Sequence, residues 1–217
     1  MSTSTSELFT PTTLFSLLGV VAILVASYAA STLLLPKSAR SVDRYIFIWL
    51  AFDALIHFIF EGSFLYYSTF GRTVFRGSGP FAELWKEYAK ADVRWGMADP
   101  TVVSLELLTV FGAGPLCVFL MYQIVQNDPA RYYNYIVLSV AEIYGGWMTF
   151  CPEWLTGSVF LSTDNWLHHW LYLWFFNGIW VVIPGYLLYH AYVEIVYPLR
   201  LVQTLANDDP KEETKKD

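Results

Sequence analysis

Asp53-Ala54-Leu55-Ile56-His57-Phe58-Ile59-Phe60-Glu61-Gly62-Ser63-Phe64 carries three ionisable side chains inside a run that is otherwise apolar. In a helix, positions four apart share a face, so Asp53, His57 and Glu61 form one polar stripe. What that stripe means depends on the solvent around it, and composition identifies the solvent. The chain is 55% hydrophobic, 18% aromatic and only 15% charged, with a mean hydropathy of +0.41, whereas an ordinary soluble domain is about 25% charged. The sequence reads as an integral membrane protein. A charged side chain at the bilayer centre costs roughly 2.5 to 3.5 kcal/mol, so ionisable groups kept there are candidates for function.

Outward from the stripe, apolar runs near the length needed to cross a bilayer recur at about Leu14–Leu35, Tyr45–Phe70, Thr101–Ile124, Tyr132–Phe150 and Trp166–Tyr197. The expected fold is an all-α membrane protein of five transmembrane helices, with the polar stripe near the middle of the second. Gly71, Gly77, Gly79 and Pro80 interrupt the chain after that span, and Phe81–Lys90 then reads as a short amphipathic segment between helices two and three. Three regions follow: a polar segment at 1–11, a five-helix membrane domain at 12–198, and a charged tail at 199–217 expected to be disordered. The first 11 residues lack the basic residue of a signal peptide, so the first span is expected to persist in the mature protein.

Five spans put the termini on opposite sides. With the N-terminus lumenal, eight basic residues against five fall on the cytoplasmic side, which orients the C-terminus to the cytoplasm. The net charge of −6, with basic residues confined to short connections, excludes nucleic acid as a partner. Cys117 and Cys151 fall inside predicted spans with no His or Cys at ligand spacing, which argues against a disulfide framework or a zinc site. The sequence has no internal repeat and no matched pair of Gly/Pro-broken half-helices, features that would point to a carrier.

Ile56-His57-Phe58-Ile59-Phe60-Glu61-Gly62, Leu84-Trp85-Lys86-Glu87-Tyr88-Ala89-Lys90, Glu106 six residues after Pro100, Ile143-Tyr144-Gly145, and Asn177-Gly178-Ile179-Trp180 with Pro184-Gly185 together resemble the emopamil-binding protein family of sterol Δ8-Δ7 isomerases. The likeness runs from about residue 45 to 190. It implies helices enclosing an intramembrane sterol cavity, an endoplasmic reticulum membrane location, a possible homodimer, and an affinity for cationic amphiphilic amines. It also implies a reaction that needs no cofactor and no metal: a proton added at C9 of a Δ8-sterol, a carbocation at C8, and a proton lost from C7.

By that resemblance His57 and Glu61 form the proton-transfer couple, and Glu106 is a second catalytic carboxylate. Two carboxyls facing one cavity tend to share a proton, because burying both ionised is costly. Thr109, Tyr144, Asn177 and Trp180 are the implied substrate-binding positions, with Asn177 orienting Glu106 and Trp180 offering a π face to the cation. Asp53 matches no family position and reads as a helix-packing or supporting residue. Where family members carry Tyr-Gly-Asp, this chain has Tyr144-Gly145-Gly146, so one acid is absent and the substrate is open to being another sterol or a triterpenoid. Two further classes stay open: a non-catalytic sterol- or drug-binding relative, and a proton-conducting or transport protein.

Overall fold

The computed structural model describes residues 10–208. Helix α1 spans Pro11–Leu34; α2 runs through Ser41–Leu55, a π-helical stretch Ile56–Glu61 and a final Gly62–Ser68. Two short helices, α3 (Pro80–Tyr88) and α4 (Arg94–Met97), precede α5, which comprises Pro100–Leu108, a π-helical stretch Thr109–Ala113 and Gly114–Val125. Helix α6 covers Arg131–Leu155, and α7 opens with π-helical turns at Leu167–Phe175 and continues as Phe176–Asp208. No strand occurs among the described residues; one isolated bridge joins Asp92 to Leu161.

The helix boundaries follow from their end residues. Thr10 accepts the Thr13 backbone N–H through Oγ1 at 3.1 Å, and Pro11 occupies the first helical position, where its missing N–H loses nothing. Asp99 does the same for α5, accepting from the N–H groups of Thr101 at 2.9 Å and Val102 at 3.2 Å ahead of Pro100. Gly79, at φ +98°, makes the turn into α3 that a residue with a Cβ would resist.

Helices α1, α2, α5 and α7 are long and apolar enough to cross a membrane. Helix α6, the fourth expected span, has 25 residues and is not among them, since Tyr132, Tyr133, Asn134, Tyr135 and Glu142 dilute its apolar character. Phe47 and Leu50 of α2, Leu120 of α5, Leu138 of α6 and Leu187 of α7 meet in one core, while Leu, Val and Phe side chains cover the outer faces. Helix α1 packs through small residues, with Ser27 and Ser31 buried and bonded to carbonyls of their own helix.

The chain between α2 and α5 folds back over one end of this bundle. Trp85 and Trp95 stack at 4.9 Å beside Phe64, and Trp85 Nε1 donates to Ser63 Oγ at 2.9 Å. Arg94 NH2 donates to Asp92 Oδ2 at 2.6 Å and to the Thr149 carbonyl at 2.8 Å, which ties the segment to α6. Burial raises the Asp92 carboxyl from its ordinary value, against the downward pull of Arg94. The tail differs from its expectation: residues 199–208 continue α7 as helix, as Leu199, Leu201, Val202 and Leu205 readily do. Segments 1–9 and 209–217, which hold the rest of the two expected polar ends, lie outside the described residues.

Candidate active site

The π-helical stretch of α2 contains His57 and Glu61, and that of α5 begins three residues after Glu106. In α2 the Gly62 N–H bonds to the His57 carbonyl, five residues back, so the widened turn contains both His57 and Glu61. In α5 the Gly114 N–H bonds to the Thr109 carbonyl across the equivalent turn. Such turns leave the regular ladder locally unmade and recur at functional sites. Gly114 is what lets the two stretches approach: a Cβ there would stand 2.9 Å from the Phe58 ring and 3.4 Å from the His57 Cβ.

His57 is 1% exposed and lies between two carboxylates. Its Nδ1 is 2.5 Å from Glu61 Oε2, and its Nε2 is 3.1 Å from Asp53 Oδ1 in an ion-pair contact bent away from hydrogen-bond alignment. Asp53, fully buried, also accepts from Trp180 Nε1 at 2.7 Å and from Cys117 Sγ at 3.2 Å. It thereby ties α2 to α5 and α7.

Thr109 joins Glu61 to Glu106. Its Oγ1 is 2.6 Å from Glu61 Oε2 and 3.2 Å from Glu106 Oε2. A hydroxyl has one proton to give, and the shorter contact takes it; the longer one is then favourable when the Glu106 carboxyl carries the proton and donates. The arrangement is that of a proton-sharing carboxyl pair, one member beside an imidazole.

All seven candidates from the sequence, His57, Glu61, Glu106, Thr109, Tyr144, Asn177 and Trp180, line a single cavity of about 540 Å³. That volume suits a drug- or lipid-sized molecule, and Phe52, Ile56, Phe60, Leu105, Leu116 and Leu138 give the wall its apolar area. Asn177 differs from its expected role. Its Nδ2 donates to Tyr88 OH at 3.1 Å and to the Tyr172 and Leu173 carbonyls, in the π-helical start of α7, at 3.0 and 2.9 Å. It fixes Tyr88 and its own helix, where the sequence reading had it orient Glu106. Burial raises the Tyr88 phenol well above its ordinary value, so it stays a neutral hydrogen-bonding group.

Trp180 lines the cavity while its ring edge rests on Trp49 at 5.5 Å and its N–H holds Asp53. Tyr144 lines the cavity from α6 and is otherwise well exposed. Two cavity groups were missed. Tyr88 lies inside the Leu84–Lys90 motif, whose resemblance implies no role for it; Glu142, 7% exposed, lies one turn before Gly146 and so on the face where the resemblance leaves one acid absent. The nitrogen and oxygen atoms of Asp53, His57 and Glu142 come within 4.8 Å of one another. The donors of Trp180 and Cys117 already converge on Asp53, which suits proton sharing better than metal coordination.

The model of the EBP family, described as EXPERA (expanded EBP superfamily), matches residues 80–191, about half the chain. A 3-beta-hydroxysteroid-Delta(8),Delta(7)-isomerase of Rattus norvegicus is 30% identical over 178 residues, 82% of this chain and 75% of that protein. Its counterpart in Cavia porcellus is 28% identical over 180 residues, 83% of this chain and 76% of that protein. A protoglabretal synthase of Ailanthus altissima is 30% identical over 153 residues, 70% of this chain and 68% of that protein.

Proposed function

This chain belongs to the EBP family of the expanded EBP superfamily, and on that premise we propose that it is an intramolecular isomerase that shifts a ring double bond of a sterol from C8=C9 to C7=C8. The observation that carries the reading is the Thr109-bridged Glu61–Glu106 pair with His57 at hydrogen-bond distance, all on the wall of one largely apolar cavity.

Alkene protonation requires an acid kept from water. A protonated carboxyl on the cavity wall delivers its proton to C9, and the π electrons form the new C–H bond and leave a cation at C8. A carboxylate or His57 removes the proton from C7, and that C–H electron pair becomes the new double bond. No oxidant or reductant enters, and the proton count closes over one turnover. The Trp180 ring on the cavity wall stabilises the cation, while Tyr144, Thr109 and Asn177, the last through Tyr88, shape and orient the substrate side. Helix α6 completes a five-helix bundle in the endoplasmic reticulum membrane, with the N-terminus lumenal, the C-terminus cytoplasmic and α3 at the interface. A lipophilic amine inhibits by placing its ammonium where the cation forms.

Purified protein incubated with a Δ8-sterol in deuterated water tests this reading. The expected product is the Δ7-sterol with deuterium at C9; saturable binding with no product would sink the assignment and leave a binding protein. A second reading, the same proton chemistry on another sterol or a triterpenoid, is favoured by Gly146 in place of an acid and by relatives named protoglabretal synthase and isomeliandiol synthase. Turnover of such a substrate in preference to the Δ8-sterol would select it.

A further inference from the structure

Seven acids are buried among the described residues, and six of them have a hydrogen-bond partner. Asp43 is held by Arg40, Asp92 by Arg94, Glu87 by Thr13 and Lys90, Glu153 by the Phe160 N–H and Asp53 by Trp180, while Glu106 stands at hydrogen-bond distance from the Thr109 hydroxyl. Glu142 is the exception. It is 7% exposed, neither carboxyl oxygen is reached by an N–H or O–H donor, and it lines the cavity. Asp53 and His57 each place a carboxylate or ring-nitrogen atom within 4.8 Å of it. A purely structural acid in this position would be expected to have a cap like the others; without one, the carboxyl is best accommodated protonated, sharing that proton with Asp53.

We propose that Glu142 is a second cavity acid of this site, paired with Asp53 and connected through His57 to the Glu61–Glu106 pair, and that it carries one of the two proton transfers. The proposal rests on the isomerase reading above. His57 then divides two carboxyl pairs, with Nδ1 toward Glu61 and Nε2 toward Asp53. If Glu142 is the donor, its O–H bond breaks, the alkene π pair takes the proton as a new C–H bond, and a carbocation results. The neighbouring C–H breaks toward the Glu61–Glu106 side, and its electron pair closes the new double bond. The acquired proton returns through the imidazole: Nδ1 takes it up while Nε2 releases one to Asp53, which reprotonates Glu142. Asp53 is the positioning residue of this pair, held by Trp180 and Cys117. Gly146 next to Glu142 on the same face fits the arrangement, since the acid is supplied one turn earlier.

The test is turnover of a Δ8-sterol by purified wild-type protein and by Glu142→Gln, Glu142→Asp and Asp53→Asn, with affinity for a lipophilic amine measured on each. For a lost acid the expected fall in kcat for Glu142→Gln is about 100-fold or more, with KM and amine affinity within about threefold of wild type and partial recovery in Glu142→Asp. Asp53→Asn is expected to lower kcat in the same direction. A Glu142→Gln variant with kcat near wild type, or one that loses amine binding in proportion to kcat, would overturn the proposal. An inactive wild-type protein would overturn the isomerase reading itself, and with it the proposal, so the two failures are distinguishable.

Discussion

His57 is the residue on which the site turns, because each ring nitrogen faces a carboxylate and both contacts are fully used only when both nitrogens carry hydrogen. The sequence made this position visible: an imidazole and two acids at spacing four in an apolar helix have few uses in a bilayer. It did not reveal which acid each nitrogen would face, since a stripe gives a shared face and no distances. Glu61→Gln keeps the shape of the side chain and removes the carboxylate that His57 and Thr109 both touch. Its kcat for sterol isomerisation is expected to fall by about 100-fold or more, with folding, judged by gel filtration and thermal melting, preserved; near-normal turnover would remove Glu61 from the proton path. Trp180 carries two loads, a ring on the cavity wall and an N–H on Asp53. Trp180→Phe retains a weaker π face and loses the donor, whereas Trp180→Ala loses both, so amine affinity is expected to fall in the order wild type, Phe, Ala. Equal losses in Phe and Ala would mean that the N–H to Asp53, and not the ring, is what matters.

At the scale of the element, the informative features are the π-helical turns, and these the sequence hid. Period-based reading assigns Tyr45–Phe70 and Thr101–Ile124 to uninterrupted helices, because one widened turn barely disturbs the apolar pattern over twenty residues. Nor does spacing show that Asn177 spends its amide on Tyr88 and on carbonyls of the opening turns of α7. Gly114 is where the α2 and α5 turns press together, and its prediction belongs here. Gly114→Ala would lower the backbone entropy of the unfolded chain, which favours the folded state, yet the added Cβ meets Phe58 at 2.9 Å in a packed contact. Overpacking dominates, at about 1 to 3 kcal/mol. The expected outcome is a lower melting temperature together with reduced isomerase activity, since the same displacement moves the α2 turn that carries His57 and Glu61 away from Thr109. An unchanged melting temperature would show that Phe58 swings aside at little cost.

For the whole molecule, the bilayer is the organising solvent, and that much was legible from composition alone. The placement of α6 was less so: Glu142, four aromatic or amide residues in its first turns and two glycines make it the least apolar of the long helices. The bundle supplies a reason for that composition. Part of that polarity faces inward, with Glu142 on the cavity wall and Tyr135 buried in the core where neighbouring helices cover them, while Tyr133 and Tyr144 remain well exposed. A helix so covered can cross a membrane at a hydropathy that would not suffice for a lone span, because the cost of a polar side chain is set by what surrounds it. The expectation is an odd number of crossings, with the termini on opposite faces. Acceptor sites for N-glycosylation placed ahead of Pro11 and after the end of α7 are expected to be modified at the first position only, in microsomal membranes. Modification at both or at neither would mean that α6 lies outside the bilayer or that another span fails to cross, and Glu142 would then need a different access to the cavity.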